Sequence, residues 1–183
     1  MLFINFEYFL IFVPIVALLY FWINKKRKGR LALIWLSIAS LFFYGWWDFR
    51  YVPLLMGSIL FNFFIGYRLN QGLIIISGTS NKRQIRLLRK HQKRLLILGI
   101  GGNIALLCYF KYVDFFISNV NTLFGAKIPY LDIVLPLGIS FFTFTQTAFL
   151  VDAYKGQAKE TKFSNYLLFV SFFPHLLAGP ILH

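Results

Sequence analysis

The chain has 183 residues, of which 58% are hydrophobic, 20% aromatic and only 14% charged. Soluble domains carry about 25% charged residues, so the composition excludes an ordinary soluble fold and points to a membrane protein. The net charge of +13 does not indicate nucleic-acid binding, because the cations cluster between apolar runs and not on a folded soluble module.

Residues 4–23 form the first apolar run, interrupted by Glu7 near one end and Pro14 in the middle. No basic segment precedes it and no small-residue cleavage site follows, so it is expected to stay as a span and not to be removed as a signal peptide. Residues 31–47 form a second span closed by Tyr44, Trp46 and Trp47, side chains suited to the headgroup level. Asp48, Phe49 and Arg50 make the turn into a third span at 52–69. There Ser58, Asn62 and Gly66 follow one helical face and predict a close contact with another helix.

Residues 81–94 carry seven cations in fourteen positions, with Ile85, Leu88 and Leu95 on one side, which predicts a helix lying on an anionic leaflet. His91 is expected to be merely solvated there. A fourth span at 95–113 opens with Gly99, Gly101 and Gly102, expected to allow close helix approach. They make no dinucleotide fingerprint, since no strand and turn precede them. Cys108, the one cysteine, excludes a disulfide framework or multi-cysteine metal site and is expected to pack as a small hydrophobe. Residues 114–124 alternate Phe116, Val120, Leu123 and Phe124 with Ser118, Asn119 and Asn121, the pattern of an interfacial helix.

The last two runs, at 133–151 and 163–182, differ from plain anchors. They contain Pro136, Gly138, Pro174, Gly179 and Pro180, and bent backbone at membrane depth is tolerated only where protein or a water-filled cavity satisfies the freed groups. The expected architecture is therefore all-α and polytopic, with about six transmembrane or partly broken helices plus interfacial ones. If the spans alternate, the loops at 24–30, 70–94 and 153–162 share a side and hold five, seven and three of the 19 Lys and Arg residues. That bias places the basic loops in the cytoplasm and the N-terminus outside.

Gln146, Asp152 and His175 are the polar residues of these runs that can line a substrate path. Each also has a plain structural role open to it: interhelical hydrogen bonding for Gln146, headgroup or lysine contact for Asp152, and backbone satisfaction beside Pro174 for His175. Ser140, Asp152 and His175 do not make a convincing nucleophilic triad, because no G-x-S-x-G elbow surrounds Ser140.

The segments L-P-L-G-I-S-F-F-T-F-T-Q-T-A-F-L-V-D-A-Y-K-G at 135–156 and F-V-S-F-F-P-H-L-L-A-G-P-I-L-H at 169–183 resemble the membrane-bound O-acyltransferase family, in particular its alginate O-acetyltransferase branch. F-Y-G-W-W-D-F-R-Y at 43–51 and Y-F-K-Y-V-D-F-F at 109–116 resemble it in the same order. The resemblance implies a ring of helices around a funnel that thins the membrane. It further implies transfer of an acyl group, usually acetyl, from a cytoplasmic thioester such as acetyl-CoA to hydroxyls of an extracytoplasmic polysaccharide. No bound cofactor is expected; the expected partners are the lipid bilayer, the acyl donor, the polysaccharide acceptor and a periplasmic acyltransferase protein. The family's catalytic histidine follows the G-P-I element at 179–181, and neither His175 nor His183 matches it. On this resemblance the chain is the N-terminal portion of a longer enzyme in a bacterial inner membrane, one domain over 1–183 without the catalytic residue. A transporter or channel gated by the broken helices, and a non-catalytic scaffold of a polysaccharide assembly, are the competing expectations.

Overall fold

The computed structural model describes residues 8–26, 29–158 and 162–172, which are helical or irregular with no strand among them. Two compact units emerge, one containing residues up to Phe63 together with the segment from Glu160, the other spanning Phe64–Lys159.

In the first unit Pro14 does not interrupt a helix. It sits in the first turn of α1 (Val13–Lys25), and a π-helical turn over Tyr8–Phe12 leads directly into it, the kind of local widening that accommodates a residue without an N–H. The α2 helix (Gly29–Asp48) packs on α1, with the Trp35 indole N–H donating to the Val16 carbonyl at 3.2 Å. Phe12 meets Phe42 and Phe43 at ring distances of 6.3 and 5.8 Å.

The expected turn after α2 is present as a 3-10 turn over Phe49–Tyr51. Asp48 Oδ1 accepts the Arg50 N–H at 3.0 Å, and the Arg50 guanidinium donates to both carboxylate oxygens at 3.1 and 2.9 Å. These guanidinium bonds, followed by the N–H bond, hold the Asp48 carboxyl below the usual carboxylate range. A carboxyl with a lowered folded pKa stabilises above its ordinary range and loses that contribution as pH falls through the lowered value. The turn is therefore expected to loosen in acid, and Asp48→Asn to remove the dependence. Amide exchange of Arg50, corrected for its intrinsic pH response, measures both.

The α6 helix (Phe163–Ser171) packs on α2, burying Tyr166 and Val170, and Phe163 and Tyr166 close on Phe63 at ring distances of 5.3 and 5.5 Å. His175, Pro174, Gly179, Pro180 and His183 lie outside the described residues.

The second unit takes in the later part of α3 (Val52–Ser77), α4 (Lys82–Phe124) and α5 (Ile139–Lys155). The three segments expected at 81–94, 95–113 and 114–124 are one helix of 43 residues, about 65 Å long and so longer than the roughly 45 Å of a whole bilayer. No residue in it breaks the 3.6-residue repeat, so the basic segment cannot lie flat on a leaflet while the next segment crosses it. The seven cations at 82–94 are all exposed and fall within about 140° of arc. The buried Gln92, Gly99 and Asn103 lie on the opposite side.

Gly125 ends α4 in the left-handed region at φ 62°. The irregular stretch that follows is pinned back to the helix. Asn121 accepts from the Ile128 N–H at 3.0 Å and donates to the Ile128 carbonyl at 2.9 Å, and Asp114 Oδ1 accepts from the Leu131 N–H at 2.9 Å. The run expected as a span from 133 becomes helical only at Ile139 and continues to Lys155. Gly138 stands before it at φ 66°, a backbone that side chains with a Cβ resist by about 1–2 kcal/mol.

Residues 29–46, 49–77 and 82–124 form helices long and apolar enough to cross a membrane. The 13 residues of α1, 17 of α5 and nine described residues of α6 fall short of the ~20 a plain span needs. The outward sides are apolar, with Leu18, Phe21, Ile74, Ile97 and Ile104 exposed, as a lipid-facing surface requires. Cys108 is exposed too and does not pack in a core as expected.

Candidate functional site

The helix break at 136–138 sets where α5 begins. Pro136 lacks an N–H and is buried, and its carbonyl accepts the Ile139 N–H at 3.3 Å. Gly138 turns left-handed, and its carbonyl then receives the N–H groups of Phe141 and Phe142, both at 2.9 Å. At the far end Gly156, at φ 78°, closes α5 by donating to the Ala153 carbonyl at 3.1 Å. The N–H groups of Gln157 and Ala158 reach the Asp152 carbonyl at 2.9 and 3.2 Å. This is the left-handed glycine termination that satisfies the last carbonyls of a helix.

Between these ends α5 buries nine of its 17 residues, among them Phe142, Thr143, Thr145, Gln146, Phe149 and Leu150, while Phe144 is exposed. Thr143 donates back to the Ile139 carbonyl at 2.7 Å and Thr147 to the Thr143 carbonyl at 2.8 Å, so these hydroxyls are spent on their own helix.

The neighbours of the glycines give the register of the second unit. Gly72 lies against the Gln92 carboxamide, Gly99 against Ile65 and Leu150, Gly66 against the Phe149 ring, and Gly156 against Leu73. Residue numbers rise together along α3 and α5 and fall along α4, so α4 runs antiparallel to both. With Leu150 level with Gly99, one turn brings Gln146 level with Asn103. Gln146 is 0% and Asn103 2% exposed. Asn103 donates to the Gly99 carbonyl at 3.1 Å, and Gln92 donates across to the Leu69 carbonyl at 2.9 Å. Polar and small residues thus form the helix contacts, as is common where lipid removes the hydrophobic incentive to associate.

Of the three expected path residues, Gln146 is sealed within this packing. Asp152 is half-buried, and among the described residues no cation lies within ion-pair distance of its carboxylate. The two stand six residues apart on α5, about 9 Å along the axis and about 120° around it, so they do not share one face. His175 lies outside the described residues. On the Ser58, Asn62 and Gly66 face, Asn62 and Gly66 are buried and Ser58 half-buried, with Asn62 donating to the Ser58 carbonyl at 3.0 Å. Of the glycines at the head of the fourth run, Gly99 makes a close contact, whereas Gly101 has nothing within 4 Å. Asn103 was not singled out in the sequence, although it lies on the same line as Gly99 and is the one amide within its apolar run.

No family model and no solved structure matches the chain. Curated proteins do. A peptidoglycan O-acetyltransferase of Helicobacter pylori is 39% identical over 94% of this chain and 35% of its own length. Proteins named probable alginate O-acetylase AlgI from Pseudomonas putida and Pseudomonas aeruginosa are 33% and 34% identical over 100% of this chain and 35% and 33% of theirs. The chain therefore spans about a third of the length of the relatives it matches. Over nearly its whole length, helix-breaking elements included, the chain is thus similar to the corresponding third of proteins named peptidoglycan O-acetyltransferase and probable alginate O-acetylase.

Proposed function

We propose that the chain builds part of the membrane-embedded framework of an O-acetyltransferase, which passes an acetyl group from a cytoplasmic thioester such as acetyl-CoA to hydroxyls of an extracytoplasmic polysaccharide. The observation that carries this reading is the end-to-end similarity to O-acetyltransferases acting, by name, on peptidoglycan and on alginate. In this reading the three long helices cross the inner membrane whole. The regions of α1, α5 and α6 complete six partly broken spans of one domain, with the basic loops in the cytoplasm and a periplasmic protein as partner. A histidine in the part of the relatives not covered here acts as general base. It takes the proton of the acceptor or carrier hydroxyl, the oxygen attacks the thioester carbonyl, and the thiolate leaves.

Within the chain, Asp152 at the end of α5, half-buried, is the carboxylate assigned to the donor path. Gln146 holds the wall behind it, and His175 completes the set. A chimaera in which this chain replaces the matching third of the Helicobacter pylori relative is expected to restore acetylation in a strain lacking that protein. A chimaera that reaches the membrane in normal amount yet leaves the polymer unacetylated sinks the reading. The chain alone is expected to yield no product from acetyl-CoA and a polysaccharide, and product would overturn the placement of the histidine. The scaffold reading draws on one observation, the seclusion of Gln146 from any hollow. It expects a chimaera with Asp152→Ala and His175→Ala to acetylate normally.

A further inference from the structure

Two hollows of the first unit follow one another along α1 and α2 and together form a groove lined on both sides of Trp35. The larger, of about 660 Å³, is walled by Phe12, Val16, Trp35, Ile38, Phe42 and Trp46 with other apolar side chains. The smaller, of about 410 Å³, shares Trp35 and Ile38 with it and ends at Trp22 and Lys26. From Leu31 to Trp46 the groove follows α2 for about 22 Å, most of the ~30 Å depth of the hydrocarbon. The indole bond from Trp35 to the Val16 carbonyl holds that ring in the wall.

At the basic end the Lys26 ammonium lies 3.7 Å from the centroid of the Trp22 ring. The ring face takes one side of the ammonium, leaving donors for a second ligand. Lys25 and Arg30 add charge of the same sign in the adjoining sequence, and among the described residues no acid lines either hollow.

We propose that this groove is a subsite for one anionic phospholipid, its phosphate beside Lys26 and one acyl chain laid along Trp35, Ile38 and Phe42. Shape and apolarity match a hydrocarbon chain, and the charge at the mouth selects the headgroup. A neighbouring protein helix fits less well. Its cytoplasmic end follows the same excess of Lys and Arg and would set cation against cation, whereas a phosphate supplies the opposite charge. The inference is independent of the acyl-transfer reading.

The test is native mass spectrometry of the chain released from nanodiscs of equal phosphatidylglycerol and phosphatidylcholine. One phosphatidylglycerol per chain is expected to be retained in preference to phosphatidylcholine. Lys26→Gln should cut that preference about fivefold, the change for one cation beside an anionic surface. Ile38→Trp fills the groove from a position already 55% exposed, so the fold should survive, and the retained lipid should be lost. Quenching of the tryptophans by brominated phosphatidylglycerol, stronger than by brominated phosphatidylcholine and less so in both variants, gives a second readout. Equal retention of the two lipids by the unmodified chain, or a preference that both variants leave intact, overturns the proposal. So does a photo-crosslink from position 38 to a second copy or to another protein segment.

Discussion

Gly66→Leu is expected to lower the stability of the purified protein in detergent by about 1–3 kcal/mol, the cost of forcing extra carbons into a filled contact. A Cβ at Gly66 would overlap the Phe149 ring, with the ring's Cζ only 2.8 Å away. Phe149 is itself buried and belongs to α5, whose start and end are fixed by left-handed glycines, so the helix has little freedom to slide away. Gly99→Leu acts on the other side of the same unit, where a Cβ would stand 2.5 Å from Leu150 Cδ1 and 3.3 Å from Ile65 Cδ1. Gly101→Leu is the control: it sits two residues along with nothing within 4 Å. Replacing an open helical glycine should be neutral or stabilise by up to about 1 kcal/mol. Thermal or SDS-titrated unfolding reads all three, and equal losses at Gly66 and Gly101 would contradict the packing of the second unit.

Gln146→Leu and Asp152→Asn are expected to separate stability from activity. Leucine keeps most of the volume at Gln146 but strips a wholly buried amide from its surroundings, and a polar partner left unsatisfied costs about 1–3 kcal/mol. Because the register puts Asn103 at the same level, Asn103→Leu should be non-additive with it, with a coupling of about 0.5–3 kcal/mol. Asp152→Asn should leave stability within about 0.5 kcal/mol, since its backbone carbonyl, not its carboxylate, ends the helix. In the chimaera it should nevertheless lower acetylation per amount of folded protein. Acetylation that follows folded protein alone in both variants would remove Asp152 from the donor path and leave α5 a purely structural element.

The sequence determined what depends on short stretches. Apolar runs separated by cationic loops announced membrane-length helices, because hydrocarbon thickness and the exclusion of charge act on each run separately. Asp48 and Arg50 announced a turn because the residues that make it are two apart. Pro136 and Gly138 announced a break, since a missing N–H and a left-handed glycine act on their own backbone.

Tertiary structure alone decided what depends on neighbours far along the chain. Gly66 and Gly99 meet side chains while Gly101 does not, although all three look alike in the sequence, because only the facing helix distinguishes them. Residues 82–124 form one rod because nothing interrupts the hydrogen bonds through the boundary between the basic and apolar segments, and polarity had falsely marked that boundary as a bend. Cys108 was expected to pack and is exposed. Gln146 was open to two readings, interhelical bonding or a path lining, and it stands wholly buried at the level of Asn103. A residue's composition and spacing can place it on a helix, but which side of that helix is covered follows from the antiparallel register of α4 against α3 and α5, a property no single segment carries.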